Sequence, residues 1–286
     1  MVQQTSSSDI QQPPRPPIFS FADGEMGPVS NTVIRTLEKA TGQPKIKQLY
    51  LDYVDSDRPR ELFWADALDR LGIKIDLRRD PKAQIPKTGP VLVIANHPFG
   101  VVDGLALCAL IAEVRQDYKI ITHRVLRQAP AVMDKILAID FEETEEALAN
   151  NLQTRKEATK LLQAGGVVVI FPSGAISRAK HFVDQAVDPS WKNFVAKLAI
   201  QPDTSILPFY VSGQNSPLWQ VAMRLSQTLG YSLMFREIVR LMNKPVTVTM
   251  RDLIAPDVIS GFGSRQELIE YLRAQVYGPD DKPQIA

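Results

Sequence analysis

The stretch Pro90–His97, PVLVIANH, narrows the possible folds more than any other part of the chain. Val91 to Ala95 are apolar without interruption, and Val91, Val93 and Ile94 are β-branched. A strand with one wet face alternates polar and apolar residues. An unbroken run instead suits a strand buried on both faces, as in a parallel sheet covered by helices. Such a strand, ending at Asn96-His97, delivers an imidazole to the rim of the sheet. The following PFGVVDG then turns into a helix with Asp103 near its start.

The same layout recurs downstream. YKIITHR, VVVIFPSG, TSILPFYVSG and PVTVTMRDLI read as further strands, separated by helical patterns in GLALCALIAEVR, RKEATKLLQAGG and NFVAKLAIQP. Strands alternating with helices predict an α/β fold, here a largely parallel mixed sheet flanked by helices. Upstream, SNTVIRTLEKATG reads as a helix with Ser30 as its N-cap and Gly42 as its stop. IKQLYLDYVDS and ELFWADALDRLG repeat that pattern. The expected organisation is a flexible Gln/Ser/Pro-rich tail over 1–29, an N-terminal helical subdomain over 30–80 and the α/β domain over 81–286.

Three turns of small and polar residues, NHPFG, FPSGAIS and PFYVSGQNS, fall at or just past strand ends. In an open α/β sheet that edge is where ligands bind. Ionised Asp103 accepting a proton from one ring nitrogen of His97 leaves the other nitrogen free to act as a general base. The simpler alternative is that Asp103 only caps the helix that follows. No G-x-S-x-G elbow is present, and Ser173 has nothing beyond its turn to mark it as a nucleophile. His97, His123 and His181 are scattered without a paired-ligand motif, so neither a metal nor another cofactor is expected.

Composition removes other classes. With 33 Lys+Arg against 32 Asp+Glu and no basic block, no nucleic-acid partner is expected. Cys108, the single cysteine, lies in an apolar run and reads as a small buried hydrophobe. The N-terminus lacks the basic start and apolar core of a signal peptide, and no stretch offers the ~18 uncharged apolar residues of a membrane span.

The order NHPFGVVDG, IFPSGAIS, ILPFYVSGQNS resembles the glycerolipid (lysophospholipid-type) acyltransferase superfamily, whose mark is His-x-x-x-x-Asp followed by a Phe-Pro-Glu-Gly block and a later strand with Pro. It looks most like the bacterial branch of hemolysin-like and lyso-ornithine-lipid acyltransferases, from about Thr32 to Val258. The resemblance implies that His97 deprotonates an acceptor hydroxyl and Asp103 orients it. The hydroxyl then attacks a fatty acyl thioester on coenzyme A (acyl-CoA) or acyl carrier protein (acyl-ACP), with no acyl-enzyme. Phe171, Pro172, Ser173 and Gly174 correspond to the acceptor block, and Gly174 marks a turn whose backbone N–H groups are expected at the oxyanion. Arg178 is expected at a phosphate. Asn96, Gly100 and Arg124 complete the implied substrate-binding set. The implied acceptor is a lysolipid, with 1-acyl-glycerol-3-phosphate ahead of a lyso-ornithine-type lipid. The implied setting is the cytoplasmic face of a membrane, with the protein peripheral to it.

Two departures stand out. Five residues, not four, separate His97 from Asp103, so the turn must bulge for the pair to close. Ser173 replaces the acidic residue of the block, and Ala175 stands where hemolysin-like relatives often carry Glu. A non-catalytic lipid-binding protein on the same fold is therefore the rival reading, and thioester hydrolysis a third. Elsewhere, GLALCALIAEV reads as a core helix rather than an acyl channel. LMFREIVRLMNK reads as an amphipathic helix docked on the sheet, with an interfacial helix as the alternative. Arg178, Lys180 and Lys192 lie near the expected cleft, whereas His123 and His181 show no evident partner.

Overall fold

The computed structural model describes residues 20–22, 27–123, 126, 129–140, 144–181 and 184–278. Arg124 and residues 1–19 and 23–26 of the expected tail lie outside the described residues. The described strands are β1 (Lys74–Leu77), β2 (Val91–Ala95), β3 (Tyr118–His123), β4 (Ile136–Ile139), β5 (Val167–Ile170), β6 (Ser205–Val211) and β7 (Pro245–Met250). They form one sheet in the order β1-β7-β6-β2-β5-β3-β4. Every pairing is parallel except β6 with β7. The largely parallel mixed sheet is thus present, with β1 and β4 added to the five strands expected. β1 escapes detection as a half-exposed edge strand beside Arg78-Arg79, and β4 as a run of only ILAI.

Three helices precede the central strand: α1 (Pro28–Thr41), α2 (Gln43–Val54) and α3 (Phe63–Arg70). The helix expected to begin at a Ser30 cap starts earlier. Pro28 occupies its first turn, where a fixed φ favours the helix and a missing N–H costs nothing, so Ser30 lies inside. Gly42 does end it, at φ 125°, and an added Cβ there would meet Val239 Cγ2 at 2.6 Å. Continuing along the chain come α4 (Pro81–Gln84), α5 (Val101–Ala112), α6 (Glu145–Gln163), α7 (Phe194–Ala199) and α8 (Pro217–Leu225). The last are α9 (Gln227–Ser232), α10 (Met234–Leu241), α11 (Pro256–Ser260) and α12 (Arg265–Tyr277).

All five residues of β2 are buried, as a two-sided strand requires. On one face Val91, Val93 and Ala95 share an apolar cluster with α5, with Tyr50 and Tyr53 of α2, Trp64 and Leu68 of α3, and Phe235 and Ile238 of α10. On the other, Leu92 and Ile94 meet Leu162 of α6, Leu198 of α7 and Leu272 of α12. Each such Val, Leu or Ile contributes roughly 1.5–3 kcal/mol by leaving water. The helices within 30–80 therefore build the same core as the sheet, and β1 pairs with β7.

α5 is buried almost throughout, so GLALCALIAEV is a core helix, and Cys108 sits in it with its thiol pushed up by burial. α10 turns Met234, Phe235, Ile238 and Leu241 inward, while Arg236 and Arg240 both reach the buried Glu237. It is docked on the fold, and the interfacial alternative falls away.

The sheet also prepares the site. β2 leads into α5 on the first face, whereas its neighbour β5 leads towards α7 on the second. Adjacent strands whose connections part to opposite faces leave a crevice at their carboxyl ends.

Candidate active site

His97 and Phe171 follow the two strands that flank this crevice. Their rings stack at 3.9 Å between centroids and 20° between planes. The other face of the turn is held by Asp103, which is fully buried at the third position of α5. Its Oδ2 accepts the backbone N–H groups of Phe99 and Gly100, each at 2.9 Å, and lies 2.9 Å from His97 Nδ1. The Nδ1 contact is short but bent away from a straight hydrogen bond. Asp103 thus both caps the helix, through its third position rather than the N-cap itself, and meets the imidazole, so the two readings of this residue coexist.

The five-residue spacer closes because Gly100 absorbs it at φ 81°, ψ −114°, a conformation that only glycine enters at low cost. Burial raises the carboxyl pKa of Asp103, while the imidazole and the two backbone donors pull it back. Nδ1 faces the carboxylate, so Nε2 is the nitrogen left to the cavity.

The turn after β5 differs from expectation in its details. Phe171, Pro172, Gly174, Ala175, Ile176 and Arg178 line the cavity that holds His97. The Ser173 side chain does not. Its buried hydroxyl donates to the Ala175 carbonyl at 2.7 Å and accepts the Ala175 N–H at 3.3 Å, closing its own turn. The Gly174 N–H donates to the Phe171 carbonyl at 3.0 Å, so it is already engaged and does not face an oxyanion. Asn96 is also engaged: its amide donates to the Val211 carbonyl at 2.8 Å and accepts the Val211 N–H at 2.7 Å. That pair ties the end of β2 to the end of β6, and Asn96 does not line the cavity that holds His97. Gly100 does line the cavity, and Arg124 lies outside the described residues.

The cavity, of about 480 Å³, has a wall that the sequence did not reveal. Arg155 from α6 and Lys197 from α7 join Arg178 and Lys192, against Asp140 as the lining carboxylate. Among the described residues none of these four cations has an ion-pair partner; Arg155 lies over the Phe194 ring at 5.3 Å. His123, expected to be structural or exposed, lines the same space, whereas Lys180 and His181 do not. Beside it lies a second, almost wholly apolar chamber of about 130 Å³ between α2, α3, α5 and α10. The two share Phe21, Val101, Gly104 and Leu126 as lining. At Gly104, which lines both, an added Cβ would meet only Ile120 Cδ1, at 3.4 Å. Among the described residues no cluster of three or more metal-ligating side chains occurs, and no helix is long and apolar enough to cross a membrane.

Residues 78–212 match the family model described as Acyltransferase. The chain is 22% identical over 256 residues to the lyso-glycine lipid O-acyltransferase of Bacteroides thetaiotaomicron, covering 82% of this chain and 90% of that one. It is 20% identical over 202 residues to the lyso-glycine lipid O-acyltransferase of Phocaeicola vulgatus, covering 65% and 68%. Among solved structures, the 1-acyl-sn-glycerophosphate acyltransferase of Thermotoga maritima superposes with a TM-score of 0.49 at 20% identity, over 76% of this chain and 75% of that one. The segment matched by the Acyltransferase family model carries β2 to β6, the His97–Asp103 pair and the Phe171–Gly174 turn.

Proposed function

We propose that the protein transfers a fatty acyl group from an acyl thioester to the hydroxyl of an anionic lysolipid at a membrane surface. The observation that carries this reading is the 2.9 Å contact of buried Asp103 with Nδ1 of His97, which lines a cavity that shares four lining residues with an apolar chamber. His97 Nε2 takes the proton of the acceptor hydroxyl as its oxygen attacks the thioester carbonyl, and Asp103 stabilises the imidazolium that forms. The new C–O bond creates a tetrahedral oxyanion. Its collapse breaks the C–S bond, and the proton passes from His97 to the departing sulfur, giving the ester and a free thiol. No side chain becomes acylated.

The rest of the site fits the two substrates. The apolar chamber suits a fatty chain, since apolar walls with few polar groups bind by excluding water. The uncompensated cations Arg178, Lys192, Lys197 and Arg155 favour an anionic headgroup in the outer cavity. We place lyso-glycine lipid ahead of 1-acyl-glycerol-3-phosphate as acceptor, because both relatives named for the former align over most of the chain. A lyso-ornithine-type lipid is a third candidate. The donor in this reading is an acyl-CoA or acyl-ACP, for which palmitoyl-CoA and palmitoyl-ACP serve as probes. The test is the purified protein with each donor and a panel of these three acceptors, read as diacylated product. Ester formation on one of them supports the proposal. Lipid binding without turnover on any would establish the binding-protein reading, and thioester cleavage without an acceptor would establish hydrolysis.

A further inference from the structure

Asp188 is a buried carboxylate that the proposed chemistry does not use, and it lies against the histidine turn. It is 2% exposed, in a segment where Arg178 and Val187 pair as an antiparallel bridge. Its Oδ1 accepts the backbone N–H of His97 at 3.0 Å and the Ser177 hydroxyl at 2.6 Å. Its Oδ2 accepts the indole N–H of Trp191 at 3.0 Å. All three partners donate, so the carboxylate is satisfied only in its ionised form. The histidine peptide is gripped from the other side as well: the Ser177 N–H donates to the His97 carbonyl at 2.8 Å. Asp188 is itself anchored by its main chain, whose N–H donates to the Tyr277 hydroxyl at 2.9 Å and whose carbonyl accepts from Arg273 at 2.9 Å.

We propose that Asp188 is a positioning residue for His97. Pro98 restricts the His97 backbone but, together with the left-handed Gly100, supplies no hydrogen bond to the His97 N–H or carbonyl. The Asp188–Ser177 clamp supplies that constraint and sets the imidazole between Phe171 and Asp103. Through Tyr277 and Arg273 it also makes the last turns of α12 part of the site's support, far along the chain from the histidine. The rate consequence rests on the acyl-transfer reading; the geometric consequence does not.

The test is Asp188→Asn in the full chain. An amide in place of the carboxylate sets its NH₂ against either the Trp191 N–H or the His97 and Ser177 donors, so every orientation loses a bond. The first readout is the downfield proton resonance of His97 Nδ1–H, identified by its loss in Asp103→Asn. It is expected to shift or broaden in Asp188→Asn. The second is kinetic: with palmitoyl-CoA and whichever lysolipid the wild type acylates, kcat is expected to fall about 10- to 100-fold with KM within about threefold, because misplacing a reacting group by an ångström costs on that scale. Ser177→Ala, which keeps the carboxylate and the His97 bond, is expected to move both readouts the same way but less, and it decides the matter if Asp188→Asn does not fold. An unchanged resonance would overturn the proposal, whether kcat is preserved or kcat, KM and melting temperature deteriorate together. If the wild type transfers no acyl group, the resonance alone still decides.

Discussion

Replacing Asp103 with Asn tests the pairing at the centre of the site with little change of shape. The amide oxygen can take the place of Oδ2 and keep the N–H groups of Phe99 and Gly100, so the turn has no reason to rearrange. What disappears is the charge beside Nδ1. At about 4 Å between charge centres and an effective dielectric of about 20, that attraction amounts to ~4 kcal/mol. If half to all of the imidazolium charge has formed at the transition state, the loss is ~2–4 kcal/mol, which slows kcat by roughly 30- to 1000-fold. KM should stay within about threefold, since Asp103 is fully buried and does not line the cavity that holds His97. Stability should not fall, because burial already penalises the charged carboxylate. The assay is initial-rate acyl transfer alongside thermal unfolding. A fall in kcat of less than threefold in a folded Asp103→Asn protein would refute the reasoning.

Gly100→Ala forces a side chain into φ 81° and places its Cβ 2.9 Å from both Ile176 Cδ1 and Met234 Cε, so unfolding free energy should drop by about 1–3 kcal/mol, with activity falling as the histidine turn shifts; chemical denaturation measures the first. Glu38, fully buried, accepts from the Ser20 hydroxyl and the Phe21 N–H, and burial raises its pKa above the ordinary 4.5. The folded state then holds that proton more tightly than the unfolded chain, so the wild type loses stability as pH rises from 4.5 through the raised value, and Glu38→Gln should gain on it across that window in melting temperature.

Much of the sheet is legible in one dimension because a two-sided strand writes itself as a continuous apolar run; β2 and β5 are the clearest cases. The proximity of His97 to Asp103 is legible for a similar reason, since one strand end and one helix start carry both residues. What stays hidden depends on three-dimensional closure. Arg155 and Lys197 reach the cavity from α6 and α7, whose own patterns are those of ordinary amphipathic helices. Asn96 looks like a ligand-facing polar residue, yet both its amide groups are bound to Val211, 115 positions later. The Gly174 N–H, plausible at an oxyanion, is engaged by a carbonyl three residues back. Ser173, the departure that most unsettles the acceptor, proves to be turned into its own loop and away from the cavity.

The central claim is that the imidazole of His97 moves the proton in lysolipid acylation. The most direct test is the rate of diacyl product formation from palmitoyl-CoA or palmitoyl-ACP and lyso-glycine lipid or 1-acyl-glycerol-3-phosphate, for the wild type and for His97→Ala. Removal of a general base costs typically 10²- to 10⁴-fold, so the account predicts a wild-type rate well above background and a loss of at least 100-fold in the variant. Transfer that survives His97→Ala undiminished would contradict it.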